Sequence, residues 1–270
     1  MPNSEIRVTF WGVRGGLPAP GAMTQGFGGN SPCIEMRCNR RLLIFDAGTG
    51  IRALGKDLMA RSPVAGDLFF STTRFNHICG LPFFAAAFNP ANSFRLWCGN
   101  AQPETCIKDV LSGLMNDPIF PVPLDVFNAD LSFRDFTDGI DLDIGDGVTI
   151  ATSKLNGCPP GTAYRVTYGG RSVCYLAGAC LDDEDTVEAI VAFAGDADMI
   201  IFGPPLINGQ SKECAWTAAT RLATDAQVSK LVLSGHAPED DDDVLNQREE
   251  HLAHDHPGTV LAREGQEVSV

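Results

Sequence analysis

The chain has 270 residues, of which 44% are hydrophobic and 20% charged, a balance typical of soluble globular proteins and too apolar for disorder. Its net charge of −14, from 20 basic and 34 acidic residues, argues against nucleic acid and anionic membrane surfaces as partners. No apolar run approaches the roughly 20 residues of a membrane helix, and no secretory signal opens the chain. We therefore expect a cytoplasmic protein.

The nine cysteines form no Cys-x-x-Cys pair, so the sequence signals neither a zinc ribbon nor a thioredoxin-type redox site. In a cytoplasmic protein they are expected to be reduced thiols, mostly small residues of the core.

The first half of the chain begins with short apolar segments separated by Gly, Asn and Pro, which predict strands. The predicted elements are strands over 6–13, 33–37 and 42–46, a helix over 49–61, strands over 68–71 and 94–98, and a helix over 104–115. Residues 116–145 are rich in Phe, Pro and Asp and are predicted to be irregular.

A second round of strands and helices follows in the same style. It comprises strands over 148–154, 162–168 and 171–176, then helix 183–194, strand 199–202, helix 214–226, strand 231–234, helix 242–253 and strand 258–262. Strand groups followed by helices indicate two sheets packed together and covered outside by helices. We expect residues 1–270 to form one domain, and the similar outline of the two rounds is compatible with an internal duplication.

Several motifs occur in a fixed order along the chain. They are FWGVRGGLPAPG at 10–21, GGNSPCIE at 28–35, LIFDAGTGIR at 43–52, HICGLPFF at 77–84, AYRV at 163–166, LVLSGHAP at 231–238 and AREG at 262–265. Together they resemble the metallo-β-lactamase fold, and within it the phosphodiesterase-like and ribonuclease Z-like metal hydrolases. The resemblance implies an α/β (α+β) fold, an αββα sandwich of two mixed sheets, with the site in loops along one edge.

The resemblance also implies a metal centre, because its members hold one or two ions with a His-x-His-x-Asp-His loop, a further His, a bridging Asp and a final His. Imidazoles and carboxylates bind zinc, which lowers the pKa of its bound water to about 7. In this sequence only His77 remains of that set. The other positions fall on Thr72, Arg74, Asn76, Gly157 (or Cys158, one residue on), Gly178 and Gly235, with Glu213 at a less securely aligned helix-entry position.

These replacements predict that the site binds no metal in the manner of the family. The carboxylates, which would be costly buried charges without a cation, are gone together with the imidazoles. The guanidinium of Arg74 keeps its charge and would repel a divalent ion. We therefore predict a pseudoenzyme with no catalytic residue, no metal and no cofactor.

Arg74 has two interpretations. Its guanidinium fills the emptied metal position and satisfies loop carbonyls, or it clamps a phosphate or carboxylate in a pocket widened by the glycines. The resemblance places Arg14, Asn30 and Tyr164 near the same edge.

Other potential ligands are given structural interpretations. His77 is expected to anchor its loop to the following helix, and His236 to be structural or exposed. The histidines at 251, 254 and 256 and the acidic run 239–243 are expected on a solvated surface. Asp46 is expected to cap a turn or a helix. A zinc site of Cys158, Cys180 and His77 stays open as a competitor.

The preferred function is a non-catalytic binding or regulatory role at the former active-site edge, with a small anionic ligand or a protein as partner. A homodimer is expected by analogy alone. The alternative is a hydrolase of phosphodiester or related substrates, using an unorthodox Cys/His metal site or a metal-free centre of Arg74 and His77. A third hypothesis is a structural subunit with no occupied pocket.

Overall fold

Two seven-stranded sheets form the centre of the protein, in a computed structural model that describes residues 5–99, 101, 105–156, 160–205 and 212–270 (side chains from 215 in the last range). The first sheet contains β1 (Ile6–Gly12), β2 (Cys33–Cys38), β3 (Arg41–Phe45), β4 (Ala65–Phe70), β5 (Ser93–Cys98), β6 (Asp130–Asp135) and β14 (Glu267–Ser269). Its spatial order is β14-β1-β2-β3-β4-β5-β6.

The second sheet contains β7 (Asp141–Gly145), β8 (Val148–Leu155), β9 (Gly161–Tyr168), β10 (Arg171–Ala177), β11 (Met199–Gly203), β12 (Leu231–Leu233) and β13 (Thr259–Leu261). Its spatial order is β13-β12-β11-β10-β9-β8-β7. The two sheets repeat one pattern: three strands pair antiparallel into the sheet, and four parallel strands follow. This repetition agrees with the similar outline of the two rounds in the sequence.

Six α-helices accompany the sheets in the described ranges: α1 (Ile51–Met59), α2 (Phe75–Ile78), α3 (Ile107–Leu114), α4 (Glu184–Ala194), α5 (Lys212–Asp225) and α6 (Asp242–Asp255). Asp183 and Asp241 cap α4 and α6, each accepting a hydrogen bond from a backbone N–H three residues on. Across the parts of the chain described, none of the helices has the length and apolar character needed to span a bilayer.

Three apolar clusters define the layers of the molecule. The central cluster lies between the sheets and includes Phe45, Tyr164 and Tyr175. A second cluster packs α1 and α3 against the first sheet, and a third packs α4, α5 and α6 against the second. The fold is therefore the αββα sandwich that the resemblance implied, with each sheet buried on both faces where it is parallel.

The sequence prediction is wrong for residues 116–145, which contain β6 and β7, and it omitted β14. All three are edge strands, and most of their residues are exposed or half-buried. Their sequences therefore contain few of the apolar side chains that indicate a buried strand. The predicted helix over 104–115 begins at Ile107 in the structure.

A buried acidic residue, Asp67, helps to link the two sheets. It lies near the amino end of β4, away from the edge where the parallel strands have their carboxyl ends. The Asp67 carboxylate, 1% exposed, accepts hydrogen bonds from Arg95 Nε at 2.5 Å and Nη2 at 2.9 Å, and from Trp97 Nε1 at 2.8 Å. Arg41 Nε lies 3.2 Å from Asp67 Oδ2. Both arginines also donate to the Ile144 carbonyl of β7, so this cluster joins the first sheet to the second.

Replacing this carboxylate should destabilise the protein. We expect Asp67→Ala to lower the free energy of unfolding by about 3 kcal/mol, because two partly buried guanidinium groups lose their counter-charge. Urea denaturation followed by circular dichroism measures the change. The control is Asp146→Ala, since Asp146 also pairs with Arg41 but its side chain is 72% exposed; this variant should cost less than about 1 kcal/mol. Equal losses of unfolding free energy in the two variants would contradict the role of Asp67 in linking the sheets.

Of the seven cysteines whose side chains the structure describes, four are buried, as expected for core residues: Cys33, Cys38, Cys98 and Cys174. Burial raises the pKa of Cys38 and of Cys174 from 9.0 to about 12. Each of these two thiols therefore stays protonated in the folded protein at pH values where the same thiol ionises in the unfolded chain.

This difference predicts alkaline instability. The stabilising contribution of Cys174 is complete below about pH 9 and is lost as the pH rises towards 12, with a limiting slope of about 1.4 kcal/mol per pH unit. We expect Cys174→Ala to flatten the dependence of unfolding free energy on pH between pH 9 and 11, measured by urea denaturation in reducing buffer. Ile200→Val, which trims the same apolar cluster without removing a thiol, should leave the slope unchanged. A slope insensitive to the Cys174 change would contradict the prediction.

Candidate functional site

The site edge is where the carboxyl ends of parallel strands from both sheets meet. β3 and β4 end there in the first sheet, and β10, β11 and β12 end there in the second. In α/β sheets, loops at this end commonly form binding sites. Every sequence-predicted site residue that the structure describes lies in a loop or in the short helix α2 after one of these strands.

A buried carboxylate organises this edge. Asp46, which directly follows β3 and is fully buried, accepts hydrogen bonds from Ser71 N at 2.8 Å and Ser71 Oγ at 2.7 Å. It also accepts from Tyr175 Oη at 2.6 Å and pairs with His77 Nδ1 at 2.8 Å. The donors come from the end of β4, from α2 and from β10, so one side chain links both sheets to the helix. The sequence prediction that Asp46 caps a turn is wrong.

The contact with Asp46 fixes the orientation of His77. A carboxylate only accepts hydrogen bonds, so Nδ1 is the nitrogen that carries a proton towards Asp46. The other ring nitrogen, Nε2, lies on the opposite side of the ring, and His77 lines a cavity. His77 is thus anchored to Asp46 rather than to the following helix, contrary to the sequence expectation.

Tyr175 remains a donor because of its surroundings. Burial raises the pKa of its hydroxyl well above 10, and the negative charge of Asp46 raises it further. The neighbouring Tyr164, also fully buried, donates from its hydroxyl to the carbonyl of Phe70 at 2.7 Å. Burial likewise raises its pKa. Tyr175 therefore donates to a carboxylate, whereas Tyr164 donates to a backbone carbonyl.

A small cavity of about 20 Å³ lies over this network. The described residues that line it are Gly15, Pro32, Arg74, Asn76, His77, Tyr175, Ala177, Gly178, Gly203, Pro204, Ser234 and Gly235. Five of the sequence-predicted site residues, from three separate segments, are therefore brought together here.

The remaining predicted positions are elsewhere. Thr72 is buried but is not among the residues lining the cavity. Gly157 and Cys158 lie outside the described residues, so the Cys158–Cys180–His77 zinc site stays untested. Cys180 donates from its thiol to Asp182 Oδ2 at 3.2 Å.

Two glycines of the cavity adopt backbone conformations that suit glycine. Gly178 has φ of 80° and Gly235 has φ of 74°, both in the left-handed region. A β-carbon at Gly178 would meet no atom within 4 Å, whereas one at Gly235 would lie 3.1 Å from Pro204 Cδ. Backbone conformation, rather than lack of space, is therefore what favours glycine at Gly178.

The donor atoms of this cavity do not fit a catalytic metal ion. The described lining residues provide one imidazole together with a guanidinium, an amide and hydroxyls, and no carboxylate. Asp46 lies behind His77 and Tyr175, with its oxygens engaged by three residues. Within the described ranges, no group of three or more His, Cys, Asp or Glu residues is placed to hold a metal.

Three residues that the resemblance placed near the edge lie outside the cavity. Tyr164 is in β9 within the central core rather than in a loop. Arg14 is fully buried and donates to the backbone carbonyls of Gly28, Ala237 and Asp240 at 2.7–2.9 Å. Burial lowers the pKa of Arg14, an effect opposed by nearby carboxylates. Asn30 binds Glu264 through its backbone N–H and its Nδ2.

The other histidines are structural or exposed. His236 is buried and lies 2.7 Å from the Ala262 carbonyl through Nε2. His251 and His254 are exposed, as expected, but His256 is buried and contacts Thr259 and the Val228 carbonyl. The acidic run is also partly buried, because Asp240 packs inward and pairs with Arg248. Its expected full solvation is therefore wrong.

Solved structures similar to this chain share its fold. YhfI from Bacillus subtilis, a metallo-β-lactamase fold protein, is 19% identical, with a TM-score of 0.71 over 98% of this chain and 100% of that chain. A diphosphatase from the PhnP family is 11% identical, with a TM-score of 0.67 over 98% and 97%. Zn²⁺-bound PqqB from Methylobacterium extorquens is 12% identical, with a TM-score of 0.67 over 97% and 99%.

No protein-family model matches the chain, and no curated protein matches it significantly. The chain has the metallo-β-lactamase fold. At these identities the likeness to solved structures shows the fold alone.

The two buried tyrosines provide a matched test of the Asp46 network. We expect Tyr175→Phe to lower the unfolding free energy by about 2 kcal/mol, because a donor to a buried carboxylate is removed. Tyr164→Phe removes a donor to a neutral carbonyl and should cost about 1 kcal/mol. Urea denaturation of both variants measures the difference. A larger cost for the Tyr164 variant would show that Asp46 is not the dominant acceptor.

Proposed function

We propose that this protein is a pseudoenzyme on the metallo-β-lactamase fold, with a binding or regulatory role at the former active-site edge in place of metal-dependent hydrolysis. The observation that carries the proposal is the donor set of the small cavity. Arg74, Asn76 and glycines occupy the lining where hydrolases of this fold are expected to present imidazoles and carboxylates.

The electrostatics of the edge support this proposal. A guanidinium keeps its proton at all physiological pH values, so Arg74 brings a fixed positive charge to the cavity wall. The described lining residues include no carboxylate that could compensate a divalent cation. A metal ion here would therefore be repelled by Arg74 and held by one imidazole.

Both interpretations of Arg74 stay open within this proposal. Arg74 lines the small cavity together with Asn76 and His77. Its guanidinium either fills the former metal position or faces a small anion held there.

One observation favours a second candidate, a metal-free hydrolase. The contact between Asp46 and His77 is the arrangement by which a carboxylate orients a histidine general base. Here, however, none of the described residues that line the cavity beside His77 is paired with it as a nucleophile. The pseudoenzyme therefore remains our first proposal.

Metal analysis combined with an activity screen tests both candidates. Protein purified without chelators should contain far less than one equivalent of zinc, iron or manganese, measured by plasma mass spectrometry. It should also fail to hydrolyse phosphodiesters and lactams, with or without added Zn²⁺.

Two variants separate the outcomes of that screen. Stoichiometric metal with turnover that His77→Ala abolishes would contradict the pseudoenzyme. Turnover that persists in chelator, and is lost in both His77→Ala and Asp46→Asn, would favour the metal-free hydrolase. Arg74→Gln, which removes the positive charge, is the control for adventitious metal: metal that appears only in this variant would agree with repulsion by Arg74.

A further inference from the structure

The edge strand β6 presents an unpaired backbone edge and two unpaired charges. β6 is the last strand of the first sheet and pairs on one side alone, with β5. Asp130 and Arg134 are both exposed on this strand. Within the residues that the structure describes, neither the Asp130 carboxylate nor the Arg134 guanidinium has a hydrogen bond or an ion pair. An open strand edge of this kind is a template for pairing with another chain.

The backbone of β6 restricts how a second strand can add to it. Asp130 N donates to the Asn92 carbonyl at 3.0 Å, so the even-numbered residues of β6 direct their backbone groups towards β5. Leu131 and Phe133 therefore direct theirs towards the open edge, because alternate residues of a strand bond to opposite sides. If two copies of β6 pair antiparallel, odd-numbered residues can lie only opposite odd-numbered residues.

The charges of β6 select one of the registers that remain. An antiparallel pair centred on Ser132 places each Asp130 opposite Arg134 of the other copy, and each Leu131 opposite Phe133. Opposite charges and apolar side chains in directly opposed positions stabilise a pair of strands. Moving the centre to Leu131 or Phe133 leaves no opposite charges facing each other. The sequence of β6 is therefore complementary to itself in one register.

The other edge strands lack this property. β7, at the edge of the second sheet, carries Asp141 and Asp143 on one face and no basic residue, so self-pairing brings carboxylates of two copies together. β13 and β14 have only three residues each. Because each copy has a net charge of −14, association requires a surface where opposite charges meet. β6 provides such a surface.

We propose that two copies of this protein pair through β6 about a two-fold axis, in the antiparallel register centred on Ser132. The two first sheets then form one continuous sheet. Each Leu131–Phe133 pair exchanges two main-chain hydrogen bonds across the axis, and each Asp130–Arg134 pair forms an ion pair. The contact uses the same surface on both copies, so association closes at a dimer. This inference does not depend on the proposed function.

Exchanging the two charges tests the register. Sedimentation equilibrium of the wild-type protein should show a monomer–dimer equilibrium. Asp130→Arg places arginines opposite each other and should raise the dissociation constant about tenfold. Arg134→Asp should do the same by opposing two carboxylates. The double variant Asp130→Arg/Arg134→Asp restores opposite charges and should return the dissociation constant to within about threefold of the wild-type value.

A matched control and three outcomes complete this test. Arg52→Asp makes the same charge change as Arg134→Asp at an exposed position on α1 and should leave the dissociation constant unchanged. Circular dichroism checks that each variant is folded. Wild-type protein that stays monomeric at about 1 mM would overturn the proposal. So would a dimer that the single variants do not weaken, or one that they weaken and the double variant does not restore.

Hydrogen exchange provides a test that needs no variant. On pairing, the amides of Leu131 and Phe133 change from solvent-exposed to hydrogen-bonded, so their exchange should slow when the protein concentration is raised above the dissociation constant. Amides of β14, an edge strand outside the proposed interface, should exchange at the same rate at both concentrations. Concentration-independent exchange at Leu131 and Phe133 would overturn the proposal.

Discussion

The carboxylate of Asp46 links parts of the chain that are far apart in sequence. It binds Ser71 at the end of β4, His77 on α2 and Tyr175 on β10, so its oxygens connect both sheets at the site edge. Asp46 itself has φ of 63°, a left-handed conformation that costs a non-glycine residue about 1 kcal/mol or more. Its hydrogen bonds offset this cost, and the positions of His77 and of the cavity wall depend on them.

The residues that orient His77 and the residues that line the cavity around it have different chemistry. Asp46 still orients His77 through Nδ1, the contact that would direct Nε2 towards a metal ion in a metal site. This orienting group is present although the sequence has replaced most of the ligand positions that the resemblance implied. The wall around it, by contrast, presents Arg74, Asn76 and glycines. The group that orients His77 is therefore that of a metal site, whereas the described lining around it contains no carboxylate.

The sequence predicted the buried part of the fold well and its margins poorly. Strands with continuous apolar runs, such as β3 and β11, were placed correctly because their composition reflects burial on both faces. The edge strands β6, β7 and β14 have no such signal. The Asp46 network was missed because its partners lie 25, 31 and 129 residues away, and no local pattern encodes those distances. The structural role of Arg14 was not predicted, because its partners are backbone carbonyls, which no side-chain motif reveals.

The strand β14 has a consequence for how the protein is made. It completes the first sheet by pairing with β1, although it follows every strand of the second sheet in the chain. During translation β1 cannot pair with β14 until more than two hundred and fifty further residues have been synthesised, so this edge of β1 stays unpaired over that time. An exposed strand edge of this kind is a template for pairing with other chains. The nascent protein is therefore expected to need chaperone protection at β1 until β14 arrives.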